Sequence, residues 1–241
     1  MPKETVSGPR LAAVFAHPDD ESRIVGGALA CYAMRGTRVA VWIASRGEAW
    51  KPGADPDEMA TLREREMARA AQGLGLARLE VRRYPDGGLS AVDSRPLVDD
   101  ISAFLAEERP QVVVTFGSEG RTLHPDHIAI HHAATAAFDH SCPPPARLFY
   151  ATVGEDLARE TGWRFPATPE AEISVMMRLP DEVLARKRLA TVEAHASQYH
   201  APPFANLDEQ ARWRALATEY LVLARPLGQR LRGDDLFAGL P

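Results

Sequence analysis

Histidine and aspartate residues concentrate in two short runs that lie far apart in the chain. The first run is HPDDE at residues 17–21, and the second is HPDH at residues 124–127. Imidazoles and carboxylates bind borderline divalent cations, and two imidazoles with one carboxylate leave coordination positions open for water and substrate. We therefore predict one hydrolytic metal site with His17, Asp20 and His127 as its ligands.

The remaining polar residues of the two runs supply the other parts of a hydrolytic site. Asp19, next to a predicted ligand, is a candidate general base, because a metal lowers the pKa of water toward neutrality. His124 could protonate the leaving nitrogen or stabilise the oxyanion, with Asp126 as its orienting partner. His131 lies one helical turn after His127, but the ligand set is full without it, so we expect it to be structural.

A parallel sheet is the element that would bring the two runs together. Apolar segments of strand length alternate with amphipathic segments in the order β-α-β-α-β-α-β-α-β as far as residue 153. One run follows the first strand, at 11–16, and the other follows the fourth, at 111–116. In a 3-2-1-4-5 strand order, these two strands flank the point where ligands bind. We predict a Rossmann-like, three-layer α/β sandwich with a mainly parallel sheet.

The C-terminal part of the chain predicts a strand at 172–179 and amphipathic helices at 181–195 and 207–224. The tail from 225 to 241 carries no clear pattern. Because no linker is evident, we expect one domain over residues 1–241, with a catalytic core at about 10–200 and a helical C-terminal segment at about 205–225.

Composition excludes several classes of partner. Of the 241 residues, 45% are hydrophobic and 25% are charged, which is typical of a globular protein. A net charge of −5 gives no attraction to nucleic acid or anionic membranes. Two cysteines, Cys31 and Cys142, do not form a disulfide framework, and no signal or membrane-spanning segment is evident. We expect a cytoplasmic protein with a small-molecule substrate, and homo-oligomerisation is left open.

The same residues resemble the N-acetylglucosaminyl-phosphatidylinositol de-N-acetylase family, also called PIG-L or LmbE-like. Residues 16–21, AHPDDE, match its first signature, and residues 124–127, HPDH, match its second. The resemblance covers about residues 10–200 and includes shorter matches at 26–27 (GG), 45–48 (SRGE), Arg63 with Glu66, 74–75 (LG), 85–89 (PDGGL) and 197–198 (SQ).

The resemblance implies a zinc-dependent amide hydrolase, with another divalent metal such as Fe²⁺ as the alternative. It gives the two runs the roles stated above, and it implies an N-acylated amino sugar or its conjugate as the substrate. Arg63 and Asp86 match positions that contact substrate hydroxyls. Their alternative interpretations are an exposed ion pair between Arg63 and Glu66 and a plain turn around Asp86.

The chain departs from the family pattern at two places. Residues 22–24, SRI, stand where two apolar residues and a glycine are usual, which puts an extra cation near the site. Thr122 stands where some relatives have a tyrosine.

Three other functions are alternatives to an amino-sugar deacetylase. They are an amidase for a larger sugar or thiol conjugate, an iron(II) oxygenase with the same ligand types, and a non-enzymatic Rossmann-type binding domain. The third is disfavoured because the first strand-to-helix turn lacks a GxGxxG pattern.

Overall fold

The computed structural model describes residues 8–141, 145–198 and 208–240. Within these ranges, the strands are β1 Arg10–Phe15, β2 Arg38–Ile43, β3 Arg78–Val81, β4 Val112–Phe116, β5 Arg147–Thr152, β6 Val175–Arg178 and β7 Thr218–Arg225. The α-helices are α1 Asp20–Met34, α2 Pro56–Leu74, α3 Ser94–Glu108, α4 Gly120–Leu123, α5 Pro125–His140, α6 Glu155–Thr161, α7 Asp181–Arg188 and α8 Glu209–Ala217.

The strands form one mixed sheet in the order β3-β2-β1-β4-β5-β7-β6. The five strands from β3 to β5 are parallel, and β1 pairs with both β2 and β4. This confirms the predicted 3-2-1-4-5 order. The strands β1, β2 and β4 are almost entirely buried, as continuous apolar strands in a parallel sheet should be.

Local sequence signals set several helix ends. The carboxylate of Asp55 accepts the N–H groups of Asp57 and Glu58, and Gly75, which has a left-handed φ of 77°, caps the C-terminus of α2. At α3, the side chain of Asp93 accepts the N–H of Arg95, and the helix begins at Ser94.

The predicted helix at 207–224 is wrong in its second half. Residue 207 lies outside the described residues, and α8 ends at Ala217. The chain then continues as β7, which inserts antiparallel between β5 and β6. Its sequence, TEYLVLAR, combines β-branched and aromatic residues with helix formers, so pairing with two neighbouring strands decides its conformation. The predicted helix at 181–195 is present as α7 and a π-helical segment, Leu189–Ala194.

A buried ion pair joins this C-terminal strand to α7, and its carboxylate also binds the first helix. Nζ of Lys187 lies 2.6 Å from Oε1 of Glu219, and both side chains are about 1% exposed. The Glu219 carboxylate also accepts the N–H groups of Gly27 and Ala28 at 2.7 and 2.8 Å. A side chain at Gly27 would overlap Leu179, which explains why this contact requires glycine.

The amino end of the sheet is closed by charged side chains. Glu108, the last residue of α3, accepts hydrogen bonds from Arg38 at 2.9 Å and Arg78 at 2.9 Å, which are the first residues of β2 and β3. Its backbone carbonyl accepts a bond from Arg10, the first residue of β1. These contacts stabilise the amino end of the sheet. The residues of the candidate metal site lie at the opposite, carboxyl end.

No helix of the described residues has the length and apolarity that crossing a bilayer requires. Cys31 is a buried free thiol, and Cys142 lies outside the described residues.

Candidate metal centre and active site

The two histidine and aspartate runs meet at the carboxyl ends of β1 and β4. These strands are adjacent and parallel, so the loops that follow them lie at the same edge of the sheet. Potential ligand atoms of His17, Asp20 and His127 all lie within 4.8 Å of one another, and all three residues are buried. Potential ligand atoms of a second group, His17, His124 and Asp126, also lie within 4.8 Å of one another.

Carboxylates fix the ring orientation of His17. Its Nε2 lies 3.1 Å from Oδ2 of Asp126 and 3.2 Å from Oδ1 of Asp86. Because ionised carboxylates only accept hydrogen bonds, the hydrogen of the neutral ring is assigned to Nε2. The Nδ1 lone pair then faces His127 and Asp20, whose nearest ligand atoms are 3.2 and 3.5 Å away.

His127 is oriented in the same manner by the main chain. Its Nδ1 lies 2.9 Å from the carbonyl oxygen of Gly120, which fixes the hydrogen at Nδ1. Its ring stacks on Phe116 with centroids 4.1 Å apart. The Nε2 lone pair therefore faces Oδ1 of Asp20 at 3.5 Å. This use of one ring nitrogen for orientation and the other for binding is typical of metal-ligating histidines.

The donor set fits a divalent metal. Ligand atoms bound at about 2.1 Å in tetrahedral geometry lie about 3.4 Å apart. Nδ1 of His17 lies 3.2 Å from Nε2 of His127, and the two nitrogens lie 3.5 Å from the nearest Asp20 oxygens, Oδ2 for His17 and Oδ1 for His127. Two nitrogen lone pairs and one carboxylate therefore converge at the spacing that a zinc-sized ion requires.

The charge states of the ligands are set by burial and by their mutual contacts. Burial lowers the pKa of His127 to about 4, so this ring is neutral near pH 7. Burial would raise the pKa of Asp20, but His127 and His17 hold it below its usual range. Burial also opposes protonation of His17, yet its hydrogen bonds to carboxylates hold its pKa well above the usual value. Metal binding there would therefore release a proton.

Asp19 occupies a strained backbone position between two arginines. Its φ is 109°, and its N–H donates to the Glu21 carboxylate at 3.0 Å. Nη2 of Arg63 lies 3.0 Å from Oδ1 of Asp19, and Nε of Arg23 lies 3.0 Å from Oδ2. Burial raises the pKa of Asp19, and the two guanidinium groups oppose that rise.

Arg63 and Asp86 contact the site residues themselves. Arg63 is 3% exposed and also donates to the carbonyls of Gly47 and Pro18, which rules out the exposed ion pair with Glu66. Oδ2 of Asp86 accepts the N–H of Ala49 at 2.8 Å, while Oδ1 faces His17.

Glu66 binds the N–H and hydroxyl of Ser197 at 2.8 and 2.6 Å. Glu21 accepts from His195 across a separation of 2.9 Å. The His195 contact was missed, because no local spacing marks it in the sequence.

The side chain of Asp126 orients His17 instead of the predicted His124. It accepts the N–H groups of Gly87 and Leu89 at 2.7 and 2.9 Å in addition to its contact with His17. The Asp126 N–H donates to Nδ1 of His124 at 3.2 Å, so the hydrogen of neutral His124 is at Nε2. Burial lowers the pKa of His124, which favours this neutral donor form.

His131 lies apart from both candidate metal groups of the described residues. Its Nδ1 is 3.0 Å from the carbonyl oxygen of Phe116, in accordance with the structural role expected for it.

A cleft of about 290 Å³ opens beside these residues. The predicted ligands, Asp19 and His124 line it. Residues from both departures from the family pattern also line it, namely Arg23, Ile24 and Thr122. Aromatic and cationic side chains complete its wall: Trp50, Trp163, Arg23, Arg63 and Arg121.

These observations define an α/β protein with a candidate histidine and aspartate metal site at the switch point of its sheet. Residues 12–138 match the family described as PIG-L, GlcNAc-PI de-N-acetylase. The chain belongs to this family.

Two relatives and one solved structure extend the likeness to 90% or more of the chain. A 1D-myo-inositol 2-acetamido-2-deoxy-alpha-D-glucopyranoside deacetylase of Rhodococcus erythropolis is 32% identical and covers 98% of this chain and 99% of its own. A protein of the same name from Acidothermus cellulolyticus is 30% identical, and the alignment covers 95% of this chain and 94% of the relative. The crystal structure of a conserved protein of Thermus thermophilus superposes with a TM-score of 0.66 and 25% sequence identity. The superposition covers 90% of this chain and 95% of that chain.

Proposed function

We propose that this chain is a metal-dependent N-deacetylase that hydrolyses the acetamido group of an amino-sugar conjugate, with zinc as its metal. The observation that carries the proposal is the pair of imidazoles, His17 and His127, each with one nitrogen hydrogen-bonded to a fixed acceptor and the other facing Asp20. We further propose a Rossmann-like three-layer arrangement in which residues 1–241 act as one catalytic domain.

The chemistry of the site follows from the protonation states of its residues. A cation held by His17, Asp20 and His127 would supply Lewis acidity toward the amide carbonyl and lower the pKa of water. Asp19 takes one proton from the attacking water, and its two ion pairs still leave lone pairs on its oxygens. The proton then passes to the leaving nitrogen, so water and amide give acetate and a free amine.

His124 is placed to act as a donor in this reaction. Because its Nδ1 accepts a backbone N–H, its Nε2–H can donate to the carbonyl oxygen as negative charge develops or to the leaving nitrogen. His124 also lines the same cleft as Asp19. Thr122 stands where some relatives have a tyrosine, so no phenol is available there as a second hydrogen-bond donor. We therefore assign the donor role to His124 alone.

The substrate class is supported by the relatives and by the wall of the cleft. Both curated relatives are named as deacetylases of an acetamido sugar linked to inositol. Trp50 and Trp163 give the cleft two aromatic surfaces. Rings of this kind suit the apolar faces of sugars because they supply contact area with little conformational entropy. We propose a small N-acetylated amino sugar, free or conjugated, as the binding partner.

Incubation of zinc-loaded protein with a panel of free and conjugated N-acetylglucosamine derivatives tests the proposal. New primary amine and acetate should appear in equal amounts with at least one compound, and a strong chelator should abolish both. Release of amine only from larger thiol or sugar conjugates would favour the broader amidase function. Binding of ligands without any turnover, in protein shown to hold metal, would favour the binding-domain alternative.

A further inference from the structure

Arg121 lies in the cleft in a backbone conformation that side chains rarely adopt. Its φ is 61° and its ψ is −43°, between Gly120 and Leu123, whose φ values are also positive at 56° and 59°. A residue other than glycine is strained there, by about 1–3 kcal/mol. Strain of this kind persists only where the surrounding structure fixes the conformation, and it is concentrated at active sites and ligand-binding residues.

The Arg121 guanidinium has no anionic partner among residues 8–141, 145–198 and 208–240. No hydrogen bond or ion pair engages it there, whereas Arg23 and Arg63 in the same cleft are paired with Asp19. Burial lowers the pKa of Arg121 to about 10, and the carboxylates of Glu219 and Asp20 act on it only through space. A partly buried cation without a partner is costly, since its lost hydration is not replaced.

One contact holds the guanidinium in place. Its Cζ lies 5.6 Å from the centroid of the Trp163 ring, at cation–π distance. The indole N–H of Trp163 donates to the carbonyl of Pro166 at 3.3 Å, and the ring packs edge-on against Phe165. The face of the Trp163 ring thus contacts the Arg121 guanidinium, whose N–H groups can donate hydrogen bonds to a ligand.

Arg121 is also tied to the proposed metal centre. It directly follows Gly120, whose carbonyl orients His127, and it lines the same cleft as His17 and His124. A molecule held at the proposed metal site can therefore reach the guanidinium from within that cleft.

We propose that Arg121, supported by Trp163, is a subsite for an anionic substituent of the substrate, a carboxylate or a phosphate. The planar guanidinium offers paired N–H donors that match the oxygens of either group. The inference rests on the proposed function for the sugar that carries this substituent. It narrows the substrate class from amino-sugar conjugates in general to those with an anionic aglycone.

Calorimetric titration of the full chain with matched glucosamine glycosides tests the subsite without turnover. The ligands carry a methyl, a carboxymethyl or a phosphoethyl aglycone. Wild type should bind at least one anionic ligand about ten- to hundredfold more tightly than the methyl glycoside. The comparison between the carboxymethyl and phosphoethyl ligands identifies the anion. Arg121→Met should lose the preference, and Arg121→Lys should keep part of it.

Two further variants keep the test decisive. Arg121→Gly removes the guanidinium and the strain together, so it should lose the preference while Tm rises, by about 2–4 °C for each kcal/mol of strain relieved. Arg159→Met removes an equal charge from an exposed position on α6 and should keep the preference. Equal affinity of wild type for all three ligands overturns the proposal, and so does a preference that survives in Arg121→Gly.

Failure of the subsite and failure of the proposed function give different results. An Arg121-dependent preference in binding, with no deacetylation of the corresponding N-acetyl glycosides by metal-loaded protein, retains the subsite and removes the function. Deacetylation with the same KM for neutral and anionic glycosides, in wild type and in Arg121→Gly, retains the function and removes the subsite.

Discussion

Nη2 of Arg63 lies 3.0 Å from Oδ1 of Asp19, and both side chains are buried. The family resemblance predicts that Arg63 contacts substrate, yet the contacts of its guanidinium in the structure are to Asp19 and two backbone carbonyls. A buried carboxylate with such a partner keeps both its charge and its direction. We therefore propose that Arg63 positions the proposed base.

Replacement of Arg63 should act on turnover. We expect Arg63→Met to lower kcat by about ten- to a hundredfold, because Asp19 loses one of its two orienting partners. KM and metal content should change little, and Arg63→Lys should restore part of kcat. Steady-state kinetics with metal analysis measures all three quantities. An increase in KM with unchanged kcat would instead show that Arg63 contacts the substrate, as the resemblance implies.

The adjacent carboxylates Asp19 and Asp20 should respond differently to the same substitution. Asp20→Asn removes an anionic ligand, so metal affinity should fall and excess zinc should recover part of the activity. Asp19→Asn keeps the three ligands, and asparagine tolerates the positive φ at this position. Its kcat should fall by about a hundred- to ten-thousandfold with normal metal content.

Metal analysis and kinetics at increasing zinc concentration make this comparison. Loss of metal from Asp19→Asn, together with normal metal and turnover in Asp20→Asn, would show that the two roles are reversed.

Asp126 should affect the metal through His17. Asp126→Asn weakens the acceptor that fixes Nε2 of His17, so we expect metal affinity to fall by about ten- to a hundredfold. Competition with a chromophoric chelator measures this change. Asp86→Asn is the matched comparison, because Asp86 also contacts His17, but its side chain is 9% exposed whereas that of Asp126 is fully buried. It should keep most of its metal, and equal losses in both variants would contradict the assignment.

The Glu108 cluster at the opposite end of the sheet should affect stability and its pH dependence. Burial would raise the pKa of Glu108, but Arg38 and Arg78 hold it below the usual range. A carboxyl with a lowered folded-state pKa stabilises the protein above its unfolded pKa of about 4.3, and this contribution is lost as pH falls through the folded value.

Urea unfolding of Glu108→Gln should show a loss of about 1–2 kcal/mol at pH 7, since the arginines are partly exposed. The difference from wild type should shrink below about pH 4. The activity of the folded variant should stay normal, because Glu108 lies at the amino end of the sheet. A pH-independent difference would show that packing, and not charge, is responsible.

The sequence by itself determined the main architecture and the candidate ligands. Apolar strands alternating with capped helices predict the parallel order from β3 to β5, and that order brings residues 17–21 and 124–127 to one edge. These features are readable because they depend on local signals and on one general property of parallel sheets. The roles of individual residues at that edge remain predictions.

Tertiary structure alone decided which partner each polar side chain of the site meets. Asp126 lies two residues after His124 in the sequence, yet its carboxylate faces His17 because β1 is the neighbour of β4. The segment TEYLVLAR fits a helix or a strand, and only the open edge of β5 made it β7. The direction of Arg121 depends on its backbone conformation and on Trp163, which is far away in the chain. Local propensity carries no information about such long-range contacts, because their free energy exists only once the chain has folded.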